Sequence, residues 1–301
     1  MPDTTRPTGT HRSPSILVTG ATGNLGREVV DRLQAHGARV RCLVRHLPHL
    51  PGSRSAVESA VVSVIGDLTD RTAVRAALVG VDAVFLIWPL LDAAAAHGLV
   101  AELVAAAPRV VYMSSTAIDD EAARQSDPIV QVHADMEALL RDAGLRPVVL
   151  RSDTLASNAR GWAAQLRAGD VVAGPNVART AVVDERDVAD AAAAVLLASH
   201  HDQLSLEPYV LTGPEVLGRA DQVARLGAAL RRGLSFEPLP ADLARSRMLA
   251  DGRPERLVEA LLAASVCRPE SRRITDHVER LTGRPAGTFA KWAVDHVAEF
   301  S

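Results

Sequence analysis

The segment Leu17-Val18-Thr19-Gly20-Ala21-Thr22-Gly23-Asn24-Leu25-Gly26 constrains this chain more than any other. Ser15 to Val18 reads as a short buried strand, and Leu25 to His36 reads as a helix. The turn between them needs each glycine for a different reason. Gly20 lets the chain turn sharply off the strand, Gly23 lets backbone come close to a pyrophosphate, and Gly26 lets the helix pack against the sheet. Free N–H groups at the helix start, with the positive end of its dipole, then make an anion site. Such a turn either cradles a dinucleotide or is a glycine-rich corner of some other α/β protein. Its place near the N-terminus, ahead of a second strand ending in Arg45, favours the dinucleotide.

The rest of the chain extends the pattern. Arg39 to Val44, Ala60 to Ile65, Val81 to Trp88, Val110 to Met113 and Pro147 to Leu150 read as further strands. Helices are expected at Asp70–Leu78, Asp92–Ala106 and Ile129–Ala143, the last stopped by Gly144. Near-continuous apolar strands alternating with helices predict an α/β fold, a doubly wound parallel sheet with ligand at the carboxyl ends of its strands. Thr180–Val183, a helix over Asp184–Ser199 and a strand over Pro208–Leu211 read as a return to that sheet. The expected division is therefore a disordered tail at 1–14, a dinucleotide-binding domain at 15–155 with a return segment at 180–215, and a smaller, mainly helical C-terminal substrate cap from 156–179 and 216–301.

Composition excludes several classes. At 301 residues with 48% apolar side chains, a substantial core is available. No apolar run approaches a membrane span, and residues 1–14 lack the apolar centre of a signal peptide. A net charge of −3 with 3% aromatics argues against a nucleic-acid partner. Cys42 and Cys267 fit no redox or metal spacing, which suits a cytoplasmic setting, and His200-His201 with Asp202 reads as a solvated helix end, so no metal is expected. Asp184-Glu185-Arg186-Asp187 reads as the polar start of a helix, and Trp162 with Leu166 as one packed face of a cap helix.

The glycine turn, the Gly66-Asp67 pair, Val110–Ser115 and His133-x-x-x-Glu137 followed by Gly144-Leu145 and Leu150-Arg151 together resemble atypical short-chain dehydrogenase/reductase proteins. The NmrA-like branch is the nearest in pattern. Leu281-Thr282-Gly283-Arg284-Pro285 with Thr288-Phe289 and Trp292 resembles the ending of its actinobacterial members. The resemblance implies a Rossmann fold and an NAD(P) cofactor. It would set the backbone at Thr22, Asn24 and Leu25 against the pyrophosphate, Asp67 and Leu68 beside the adenine, and Ile87, Trp88 and Pro89 along the nicotinamide ribose. Arg45 stands where an acidic residue would grip the ribose of NAD, so NADP(H) is favoured unless Arg45 is only a solvated charge. Asp67 also suits a helix N-cap.

Typical members of that superfamily carry Tyr-x-x-x-Lys on the helix after the fifth strand, the two side chains sharing one face. Here those positions hold Ile129 and His133. The two tyrosines, Tyr112 and Tyr209, lie in strands, and the single lysine is Lys291. Nearby polar groups are Ser115, Thr116, His133 and Asp153. Thr116 matches the serine or threonine that helps bind a substrate carbonyl in related extended enzymes. His133 is either a proton donor, its ordinary pKa lying near physiological pH, or a ribose-binding or packing residue. Asp153 is a loop cap or a catalyst, and Glu137 is expected to orient His133 or bond local backbone.

Two functions follow. One is an NADPH-dependent reductase of a small carbonyl, quinone or biosynthetic intermediate, biased toward activated acceptors because the dyad is lost. The other is a dinucleotide-binding redox sensor acting through protein partners. A homodimer through the sheet-flanking helices is compatible with either.

Overall fold

The computed structural model describes residues 12–46, 61–199 and 204–301. The chain starts at β1 (Ser15–Thr19) and turns into α1 (Asn24–Ala35), then β2 (Arg39–Val44), β3 (Val61–Ile65) and α2 (Arg71–Leu78). β4 (Ala83–Leu86), α3 (His97–Ala106), β5 (Arg109–Ser115), α4 (Pro128–Asp142) and β6 (Val148–Ser152) follow. Beyond them come α5 (Ala163–Ala168), β7 (Val171–Gly174), β8 (Thr180–Ala181), α6 (Glu185–Leu197) and β9 (Tyr209–Leu211). The chain closes with β10 (Val216–Leu217), α7 (Arg219–Leu230), β11 (Ser235–Pro238), α8 (Ala241–Ala250), α9 (Glu255–Cys267), α10 (His277–Thr282) and α11 (Phe289–Asp295).

Seven parallel strands form one sheet in the order β3-β2-β1-β4-β5-β6-β9. The winding reverses between β1 and β4, which opens a crevice at their carboxyl ends. Side chains alternate across the sheet as a two-residue period requires. Ile16 and Val18 join a core with Val29 and Leu33 of α1 and the alanine face of α6. Leu17 joins the opposite core with Val74, Leu99, Leu103, Met136 and Leu140 of α2, α3 and α4. Small residues at 189 and 191–193 let α6 lie close against α1 and the sheet.

The doubly wound sheet is as expected, with departures at its margins. Residues 12–14 are tied to the sheet: Arg12 pairs with Asp82 at 3.0 Å and the Pro14 carbonyl accepts from the Arg39 amide. The rest of the expected tail lies outside the described residues, as does His200-His201-Asp202. Thr180–Ala181 does not return to the sheet; it pairs antiparallel with β10, and among the described residues β9 is the strand that extends the β6 edge. The cap also holds a parallel pair, β7 with β11, and its core gathers Trp162, Leu166, Val172, Leu226, Trp292 and Phe300. α10 leaves the cap, since Val278 packs into the α1–α6 core.

The start of α6 does more than open a helix. Asp184 caps it, while Glu185 and Asp187 are buried. Glu185 accepts from Trp292 Nε1 at 3.0 Å, Arg160 at 2.9 Å and the Ser157 amide at 3.1 Å. Asp187 accepts from Arg284 at 2.6 Å and the Gly287 amide at 2.7 Å. The C-terminal motif is thus a latch. Gly283 ends α10 in the left-handed conformation, Thr288 caps α11, and Arg284 and Trp292 reach the two buried carboxylates.

Candidate active site

A cleft of about 1040 Å³ lies along the carboxyl ends of the strands, lined by the glycine turn at one end and by the cap at the other. Gly20 takes φ +65°, so the sharp turn needs a glycine. Gly26 is needed for packing: a Cβ there would sit 2.1 Å from the Gly20 carbonyl oxygen. Gly23 is the N-cap of α1, with extended backbone at φ −78° and ψ 170°. Its value is space. A Cβ on Gly23 would meet only Gly20 O, at 3.3 Å, and no side chain caps the helix. Thr19 fastens this turn to the next strand, exchanging hydrogen bonds with the Ile87 carbonyl (2.9 Å) and amide (2.7 Å). These features fit a pyrophosphate laid across the helix start.

Gly20, Thr22, Gly23, Asn24, Leu25, Gly26, Arg45, Asp67, Leu68, Ile87 and Pro89 all line the cleft. Arg45 is exposed beside Asp67, at the end farthest from the cap. Hydrogen bonds from the Thr69 hydroxyl (2.7 Å) and amide (2.9 Å) hold the Asp67 carboxyl below its usual range, and the Arg45 charge adds to this. Asp67 is not the cap of α2; Asp70 is. Trp88 is a correction. Its side chain is buried in the α2–α3–α4 core, and the indole N–H donates to the Asp92 carbonyl at 3.2 Å. Past the end of β4 the two neighbours part: Ile87 faces the cleft while Trp88 turns into the core.

At the cap end the cleft is bordered by Ser115, Thr116, Ile129, His133, Asp153 and Ser157. Ile129 and His133 stand one turn apart on α4, with no tyrosine or lysine among the lining side chains. Tyr112 reaches His133 from below: its Oη is 3.0 Å from Nδ1. Burial, with the Glu137 carboxylate adding, pushes the Tyr112 phenol up and keeps it protonated. Burial pushes His133 down to about 4, so the ring is neutral at neutral pH rather than the protonated donor its ordinary pKa implies. Among the described residues Glu137 makes no hydrogen bond to His133, although its charge partly opposes the effect of burial on the ring. It accepts from Arg151 at Nε and Nη2, both 2.9 Å, and from Ser114 Oγ at 2.6 Å, while Arg151 also grips Asp120 at 2.7 and 2.6 Å. The histidine–glutamate signature is therefore a cleft-lining residue and a brace that joins β5, α4 and β6. Asp153 caps its own loop, Oδ1 accepting from the Thr154 amide at 2.6 Å, and leaves Oδ2 buried without a partner among the described residues.

Sequence reasoning missed the strap 268–273. Arg268 pairs with Asp127, the N-cap of α4, at 2.7 Å, the Ser271 amide donates to the Arg179 carbonyl, and Thr275 bonds Val210 and Thr212. The strap thus crosses the cap end of the cleft. Its dense arginines were the available signal. Among the described residues no helix is long and apolar enough to cross a membrane.

A family described as NAD(P)H-binding matches residues 20–199. The (4-alkanoyl-5-oxo-2,5-dihydrofuran-3-yl)methyl phosphate reductase of Streptomyces griseus is 36% identical, over 95% of this chain and 99% of its own. An NAD(P)H azoreductase of Xenophilus azovorans is 28% identical over 95% of this chain and 99% of its own. The structure of an NADPH-dependent quinone oxidoreductase from Escherichia coli, complexed with NADPH, has a TM-score of 0.74 at 21% identity, covering 93% of this chain and 99% of that one.

Proposed function

This chain belongs to the NAD(P)H-binding family, and from that premise we propose that it is an NADPH-dependent reductase of small conjugated acceptors. The observation that carries the reading is the His133–Tyr112 pair at the cap end of a cleft whose other end is a dinucleotide cradle. Bound NADPH would supply hydride. The buried phenol of Tyr112 has no other hydrogen-bond partner among the described residues, so it donates to Nδ1. The neutral ring then carries its proton on Nε2 and offers it to the cleft. That N–H, with the Thr116 and Ser115 hydroxyls, stabilises the oxyanion that develops on a conjugated carbonyl as hydride arrives at its β-carbon. The resulting enolate takes its proton from water.

A simple ketone needs a strong protein acid at the oxygen, and a neutral imidazole is not one. Conjugated acceptors spread the charge and need less. This agrees with two relatives whose names describe reduction of a dihydrofuranone with an alkanoyl group and of azo compounds. Those names also favour catalysis over the sensor alternative. Arg45 supports NADPH over NADH, its guanidinium suiting the 2′-phosphate.

Steady-state NADPH oxidation against unsaturated lactones, quinones, azo dyes and simple ketones tests the proposal. Turnover with the conjugated acceptors and little with the ketones is expected. Tight NADPH binding without turnover on any acceptor would favour the sensor.

A further inference from the structure

Behind Ile129, Thr154, Asn158, Thr180 and Arg268, all of which also border the main cleft, a second chamber of about 320 Å³ opens into the cap. Its walls come from α7, α8, α9 and the segment ahead of α5. Among the described residues they carry Arg219, Arg247 and Arg253 against a single acid, Asp251. Arg268 at the mouth is already neutralised by Asp127. The chamber thus holds a surplus of two positive charges.

The arginines are not consumed by the fold. Among the described residues none of the three has a side-chain hydrogen bond or an acidic partner, and Nε of Arg219 is buried and unpartnered. The Arg219 guanidinium carbon lies 5.7 Å from the centre of the Trp162 ring. Arg253 approaches the adjacent Gly161, where a Cβ would lie 3.8 Å from its Nη2. Two cations therefore flank one short segment with no acid between them. Burial, and then the neighbouring Arg253 charge, push Arg219 down to about 10. Leaving the buried Arg219 Nε donor unpaired is costly, and an entering anion removes that cost; Arg253 is half-buried and Arg247 exposed, so they add charge at the chamber wall.

We infer that this chamber binds the phosphate monoester group of the substrate, so that the acceptor's reducible end lies at Ile129 and His133 while its anionic end enters the cap. The inference rests on the reductase reading for its substrate, but not for its anion. A phosphate monoester carries close to two negative charges at neutral pH and three acceptor oxygens, which match the surplus and the open donors. A carboxylate would leave one charge unmet.

The test uses protein saturated with NADPH, so that the Arg45 end is filled. Calorimetric titration with phenyl phosphate should show binding, with benzoate and phenol much weaker. Arg219→Gln and Arg253→Gln should each weaken phenyl phosphate roughly tenfold to a hundredfold, the effect of one charge-assisted contact. Unliganded Tm should stay level or rise in Arg253→Gln, because a like-charge neighbour is removed; a structural arginine would lower it. Absence of phenyl phosphate binding to the wild type would overturn the inference, as would unchanged binding in both variants or benzoate binding equally well. Phosphate binding lost in the variants, in a protein that oxidises no NADPH with any acceptor, would leave the chamber standing and remove the reductase reading.

Discussion

Tyr112 on β5 and His133 on α4 meet through a 3.0 Å contact between Oη and Nδ1, among the described residues the one polar link between the sheet and His133. It reassigns Tyr112, which from sequence alone is only a strand residue without a role. His133→Ala should lower kcat by about 10²-fold, the usual cost of losing one donor to a developing oxyanion. Tyr112→Phe should cost about tenfold by freeing the tautomer, a positioning effect on His133. Tyr209→Phe should cost nothing, since its hydroxyl accepts from the Ser205 amide outside the cleft. Stopped-flow turnover beside the NADPH dissociation constant checks this. A His133→Ala variant altered only in cofactor binding would make His133 a ribose ligand instead.

The same burial has a stability signature. The unfolded chain protonates His133 near its ordinary pKa, whereas the folded chain resists protonation until about pH 4. Between those values the unfolded state binds more protons, so stability falls as pH falls. Urea midpoints at pH 7 and pH 5 should therefore lie closer together in His133→Gln than in the wild type. An unchanged gap would mean that the ring is not held neutral.

Arg45→Ala should weaken NADPH by roughly one to two decades, the cost of one charge-assisted contact, and leave NADH nearly unchanged. Titration of both cofactors into both proteins decides it. Equal wild-type affinities for NADPH and NADH would remove the case for NADP.

The glycine turn was legible because each glycine answers a local demand that sequence spacing exposes. Gly20 meets its demand by its φ, Gly26 by close packing and Gly23 by leaving space. Trp88 was misread because its neighbours Ile87 and Pro89 do line the cleft, while its own indole turns into the core and bonds the Asp92 carbonyl. Glu185 and Asp187 look like ordinary helix-start acids, and their burial depends on Arg284, Gly287 and Trp292 about a hundred residues later. The chamber arginines were beyond reach for the same reason. Arg247 in α8 and Arg253 in the turn after it are near in sequence, but Arg219 opens α7, and tertiary packing brings it to the same chamber.

Two substitutions in the turn should separate space for the ligand from space for the fold. Gly23→Val puts its side chain into the cleft with only a 3.3 Å approach to Gly20 O, so the protein should fold normally but lose the thermal shift on adding NADPH. Gly26→Ala places its Cβ 2.1 Å from the same oxygen, which backbone must yield, so its Tm should drop even without cofactor. A full NADPH-induced shift in Gly23→Val would mean that the pyrophosphate lies elsewhere.

The brace at Glu137 gives the last test, because it predicts a large stability cost at a residue that touches no ligand. Glu137 and Arg151 are 1% and 5% exposed, and Arg151 can fall back only on Asp120, whose side chain is mostly in solvent. Glu137→Gln keeps the shape but leaves the guanidinium buried beside a neutral amide. Breaking one partner of a buried pair costs about 3–5 kcal/mol. The surviving Asp120 contact should hold the loss to the lower end, about 3 kcal/mol. Denaturant unfolding should show this loss, while kcat in the folded fraction falls far less than for His133→Ala. If turnover collapsed in Glu137→Gln at wild-type stability, Glu137 would belong to the chemistry after all.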